Sequence, residues 1–259
     1  MIKFSANLGF LWTELTLPDA IHAAKAAGFD AVECHWPYAT PAAEIQKALS
    51  DTRLTMLGLN TVRGNPGENG LSALPGRGTE ARAAIDQAIE YAQATGTPKI
   101  HVMAGFASGP EADAIFAENL RYACTAAPEL TMLIEPLNHH DAPGYFLNTS
   151  AQAKAIIETL ALPNLKLMFD CYHLQIMEGD LTRRLTALLP VIGHIQIAGV
   201  PSRAEPDRGE VDFAHILNHI DSLGYAAPIG AEYKPAAGTD AGLGWIKALQ
   251  TRRDAMTSP

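Results

Sequence analysis

The chain has 259 residues, 47% of them apolar and 18% charged, which suits a folded domain with a sizeable core and excludes a disordered one. Its formal net charge of -9 opposes a nucleic-acid partner, because binding a polyanion relies on an excess of Lys and Arg that is missing here.

In chain order, residues 2–8 read as a short strand broken by Asn7, without the continuous apolar core of a signal peptide. A helix follows from Leu17, with Thr16 as its N-cap, Asp19 three residues on and Gly28 as its stop. Further strands are expected at 31–34, 53–57, 99–103, 130–135, 165–169, 192–197 and 229–233. The helices between them are expected at 41–50, 79–95, 111–127, 150–160, 180–189, 212–223 and 239–249. This alternation predicts an α/β protein in which eight βα pairs close a (β/α)8 TIM barrel, a single domain over residues 1–259. The two longest connections, 60–78 and 198–211, both follow strands and so belong to the C-terminal face, where barrel active sites are built. No segment approaches the ~18 to 20 apolar residues of a membrane span. The three scattered cysteines Cys34, Cys124 and Cys171 match neither a disulfide framework nor a zinc site, and they fit a cytoplasmic protein.

Four consecutive strands end in polar residues that a core would not tolerate unpaired: Glu135, Asp170, Gln196 and Glu232. In a closed barrel these converge at one level near the axis. Three carboxylates in a partly dry pocket call for a cation, and an all-oxygen set favours a hard divalent ion, Mg2+ or Mn2+, over zinc. His194 shares a strand face with Gln196 and reads as a hydrogen-bonded barrel histidine. His101, inside the fourth strand, is either a pocket residue or a satisfied interior histidine.

The runs Ile134-Glu135-Pro136-Leu137-Asn138-His139, Asp170-Cys171-Tyr172-His173, His194-Ile195-Gln196-Ile197 and Glu232-Tyr233-Lys234-Pro235 resemble the hydroxypyruvate isomerase family of xylose-isomerase-like barrels, as do Ser5-Ala6-Asn7-Leu8 and Pro75-Gly76-Arg77. The resemblance spans nearly the whole chain. It implies that Glu135, Asp170, Gln196 and Glu232 ligate the metal and that Glu135 and Glu232 also form the proton-transfer pair. By the same likeness His173 contacts a substrate oxygen and Arg203 binds substrate. A carboxylated substrate needs a cation, which adds Arg77 and Lys234 as candidates. The reaction implied is the interconversion of hydroxypyruvate and tartronate semialdehyde through an enediolate. The segments 61–74 and 105–110 depart from the family pattern and leave the substrate open. The alternatives are a 2-oxo-tetronate isomerase or a ketose 3-epimerase on the same scaffold, then an apurinic endonuclease or a non-catalytic binding barrel. The partner expected is a small hydroxy-carbonyl acid, and a homo-oligomer is compatible with the sequence.

Overall fold

The computed structural model describes residues 2–257, with side chains described through Arg253. Eight parallel strands form one sheet in the order β2-β1-β8-β7-β6-β5-β4-β3. They are β1 (Phe4–Asn7), β2 (Ala31–Glu33), β3 (Leu59–Asn60), β4 (Lys99–His101), β5 (Thr131–Ile134), β6 (Leu165–Asp170), β7 (Ile192–Ile197) and β8 (Ile229–Ala231). Closure comes from the stretch just before β3: Val32 N donates to Thr55 O (3.0 Å), Leu57 N to Val32 O (2.7 Å) and Cys34 N to Gly58 O (3.1 Å). The TIM barrel expected from the alternation is therefore present.

The helices that wrap it are α1 (Leu17–Ala26), α2 (Ala42–Thr52), α3 (Gly78–Thr95), α4 (Pro110–Ala126), α5 (Ser150–Leu160), α6 (Cys171–Met177), α7 (Leu181–Leu188), α8 (Phe213–Ser222), α9 (Thr239–Gly242) and α10 (Gly244–Thr257). Thr16 caps α1 by accepting from Asp19 N at 3.3 Å. On α3, Ala81, Ala84, Ile85, Ala88 and Ala92 are buried at helical spacing, so small side chains let that helix lie close against its neighbours. None of the described helices is long and apolar enough to cross a membrane.

Three expectations are corrected. Arg53 is not in a strand: it adopts a left-handed conformation (φ 57°) that stops α2, and the strand proper begins at Leu59. A short apolar run after a helix is ambiguous by pattern alone, and here its residues close the seam to β2 rather than pair with β4. The helix α6, directly after β6, was not expected; Asp170 supplies its N-cap, its Oδ1 accepting from Tyr172 N at 2.8 Å. The last helical stretch is two helices broken at Leu243.

Strand register places the polar side chains. A shift between Leu167 and Met168 brings Met168 opposite His194 and Asp170 opposite Gln196, while Gln196 in turn lies opposite Gly230 on β8. Because alternate residues share a face, His194 and Gln196 both point into the barrel, level with the ends of β5 and β8.

Candidate active site

A cavity of about 630 Å³ opens at the C-terminal face, its floor formed by His101, Glu135, His173 and Glu232 and its walls by the loops after β1, β3 and β7. Glu135, Asp170, Gln196 and Glu232 are all buried around or beneath this floor. Glu135 follows β5, Asp170 ends β6, Gln196 lies in β7 and Glu232 follows β8, as expected.

The oxygens of these four residues are not equivalent. Glu135 Oε1, Asp170 Oδ2 and Gln196 Oε1 are buried with no hydrogen-bond partner. Leaving such atoms unpaired costs about 1 to 3 kcal/mol each, more for a charge, so three together indicate that something else satisfies them. Oxygens on three successive strands fit a hard divalent cation, which pays no heed to hydrogen-bond geometry but requires lone pairs. Glu232 is engaged already: Oε1 accepts from His35 Nε2 (2.7 Å) and Asn7 Nδ2 (3.0 Å), and Oε2 from Arg203 Nη2 (2.8 Å).

The carboxyl groups crowd one another electrostatically. Burial raises the Glu135 carboxyl well above the usual carboxylate range, and the charges of Glu232 and Asp170 raise it further. Asp170 is pushed up to about 8 by burial and by Glu232. Burial acts on Glu232 in the same direction, but Arg203 and His35 outweigh it and hold that carboxyl well below the usual range. A divalent ion among them would relieve the crowding.

Ligand atoms of Glu135, Asp170 and His173 lie within 4.8 Å of one another. The tautomer of His173 separates its role from the other two. The backbone N–H of Asn138 donates to His173 Nδ1 at 3.0 Å, so Nδ1 carries a lone pair and, in the neutral ring, the proton sits on Nε2. Burial and the nearby Arg203 lower the His173 pKa to about 3, which keeps the ring neutral. Its Nε2–H points toward Asp170 Oδ2 (3.6 Å) and Glu135 Oε1 (3.9 Å), which places a hydrogen-bond donor at the floor.

Among the candidate cations, Arg203 enters the cavity between the rings of Phe10 and Tyr172, each 4.9 Å away, and reaches Glu232 and Asp170 (3.6 Å). Lys234 lines the cavity beside Phe10, its Nζ 5.6 Å from the ring. His101 is a floor residue with Nδ1 3.4 Å from Glu135 Oε2, and burial lowers its pKa to about 4. Arg77 is elsewhere: it is clamped by Glu68 and Glu80 and takes no part in the cavity lining.

Below the floor lies a network absent from the sequence reading. Glu33, ending β2, accepts from His194 Nε2 (2.6 Å), Gln196 Nε2 (2.8 Å) and Asn7 Nδ2 (3.0 Å). Burial favours the neutral Glu33, but His194 and Gln196 prevail and hold its pKa below the usual value. The signal was available: Ala31-Val32-Glu33 is a strand ending in a charge, the pattern that singled out Glu135, Asp170 and Glu232. Arg63, stacked on Trp36 at 3.9 Å in the wall, was also missed, since a lone arginine in a loop carries no local mark.

Residues 21–249 match the family model described as xylose isomerase-like TIM barrel. The chain is 46% identical to the 2-oxo-tetronate isomerase of Cupriavidus necator, over 95% of this chain and 98% of that protein. It is 38% identical to the hydroxypyruvate isomerase of Escherichia coli, again over 95% and 98%. A solved structure described as AP endonuclease, family 2, from Brucella melitensis superposes with a TM-score of 0.92 at 36% identity, covering 96% of this chain and 99% of that one.

Proposed function

The chain belongs to the xylose isomerase-like TIM-barrel family, and from that premise we propose that it is a metal-assisted isomerase of small 2-oxo-3-hydroxy acids, hydroxypyruvate foremost. The observation that carries this is the trio of unpartnered buried oxygens on Glu135, Asp170 and Gln196 beside a cavity that also presents Arg203 and Lys234. The first group suits a hard ion and the second a carboxylate, so the site matches an anionic substrate bearing adjacent oxygens. The names of the relatives support the same class.

Glu135, Asp170 and Gln196 would hold the ion, with Glu232 beside them as the fourth candidate ligand. A hard divalent cation there, Mg2+ or Mn2+, would supply Lewis-acid stabilisation of the negative charge that develops on substrate oxygen. Arg203 and Lys234 fix the carboxylate end, which sets the reacting carbons against Glu135 and Glu232. One carboxylate takes the proton from C3, leaving an enediolate, and a proton returns at C2 while the hydroxyl proton passes to the other oxygen; the product is the 2-hydroxy-3-oxo acid. His173 donates its Nε2–H to a substrate oxygen as negative charge builds there. In this reading the enzyme works in the cytoplasm, in keeping with its three free, buried cysteines.

A four-carbon substrate is the second reading, favoured by the 46% identity to a 2-oxo-tetronate isomerase and by a cavity larger than three carbons need. Incubation with Mg2+ or Mn2+ and either acid, followed by NMR, tests both: conversion of hydroxypyruvate or a 2-oxo-3,4-dihydroxy acid, with free ketohexoses slower, is expected. Turnover of ketohexoses alone would reject the acid reading.

A further inference from the structure

We propose that Glu33 is a positioning residue that fixes the Gln196 side-chain amide with its oxygen toward the metal position; this rests on the metal-site reading above. A primary amide is a poor choice of ligand unless its orientation is imposed. Its two ends are nearly identical in shape, yet only the oxygen can bind a cation, and an unconstrained amide loses little by turning over.

Here the orientation is imposed by one bond. Gln196 Nε2 donates to Glu33 Oε1 at 2.8 Å, which leaves Gln196 Oε1 buried and unpartnered. Turning the amide would set an oxygen against a carboxylate oxygen and aim an NH2 group at the metal position. Glu33 cannot readily swing aside. Its Oε2 is held by His194 Nε2 at 2.6 Å, and its Oε1 also accepts from Asn7 Nδ2 at 3.0 Å. Asn7 is itself oriented, because Gly9 N donates to its Oδ1 at 2.9 Å. On the far side β8 comes so close that a Cβ on Gly230 would stand 2.7 Å from both Glu33 Oε1 and Gln196 Cγ. Side chains of β1, β2 and β7 and the bare backbone of β8 thus act on a single amide, and the result is an amide oxygen left buried and free to bind a cation. Outer partners of this kind commonly contribute ~10- to 100-fold to metal affinity.

The test is a double-mutant cycle read by Mn2+ titration, following the loss of the free-ion EPR signal, with circular dichroism as a check on folding. In the wild-type background E33L should weaken Mn2+ binding ~10- to 100-fold. In a Q196E background the same change should not weaken it, because a carboxylate presents an oxygen whichever way it turns. A general structural defect would lower affinity equally in both backgrounds, and that result would overturn the proposal while leaving the metal site standing. Unchanged affinity for E33L alone would overturn it too. Absence of Mn2+ binding by the wild type would remove the metal reading and this inference together.

Discussion

Arg203 and Glu232 form a direct bond, Nη2 to Oε2 at 2.8 Å, so the cation proposed to bind the substrate carboxylate also holds a carboxylate proposed for proton transfer. Removing either partner of a buried pair leaves an uncompensated charge. R203A is therefore expected to lower kcat as well as raise KM, and to lower the melting temperature of the metal-free protein. A change confined to KM, seen in steady-state kinetics, would separate Arg203 from the chemical step.

E135Q and E232Q each keep an oxygen that could ligate the ion but remove the proposed proton acceptor. Turnover should fall about 10²- to 10⁴-fold while Mn2+ binding is partly retained. Near wild-type turnover by both variants, measured at saturating metal, would reject the proton-transfer pair.

For His173 the tautomer sets the expectation. As a donor to substrate it should be dispensable for the ion, so H173F should reduce kcat/KM and leave Mn2+ affinity close to wild type. A collapse of Mn2+ affinity would make the histidine a ligand instead, in a state that the Asn138 N–H bond disfavours.

The raised Asp170 fixes the sign of a pH effect. Its folded-state pKa, about 8, lies above the ordinary 3.8, so its neutral form is favoured in the fold. The stability it provides is complete below about 4 and is lost as pH rises toward 8. Glu135 works in the same direction. Thermal melts of the metal-free protein should show this contribution declining across that window. A divalent ion binds the deprotonated oxygens, so its stabilising shift should grow over the same range; at a hundredfold excess over Kd it amounts to about 2.7 kcal/mol. A metal-induced shift that shrinks with rising pH would contradict the assignment.

Arg77 braces the long loop after β3: Nη1 and Nη2 meet Glu68 at 2.7 and 3.4 Å, and Nη2 also meets Glu80 at 2.7 Å. R77A should speed amide hydrogen exchange in residues 61–74. The preference for carboxylated over neutral substrates should stay unchanged, because the guanidinium does not line the cavity. A selective rise in KM for the acids would return Arg77 to the carboxylate clamp.

The barrel was readable because its βα alternation is written in hydrophobic period, and Glu135, Asp170, Gln196 and Glu232 because a polar residue ending an apolar strand is conspicuous. What escaped depends on pairing between distant strands. Glu33 gains its meaning from His194, 161 residues away, and Asn7 from Glu232, 225 residues away. The ion pairs of Arg77 with Glu68 and Glu80 were illegible for a related reason: a sequence displays a charge but not the acidic partners that will claim it. Likewise, α6 was hidden because its cap, Asp170, had already been read as a strand terminus.

Gly230 carries a lesson for reading variants. At ordinary strand positions Gly→Ala is mild, and by restricting the unfolded chain it often stabilises by about 0.4 to 1 kcal/mol. At this position the added methyl would meet the Glu33 carboxylate and the Gln196 side chain at 2.7 Å, so room must come from the hydrogen-bonded pair itself. G230A would thus disturb Gln196, a proposed metal ligand, without altering a single charged or polar residue. A survey that ranks substitutions by chemical severity would pass over it, although the hydrogen atom at that Cα belongs to the site as surely as any carboxylate.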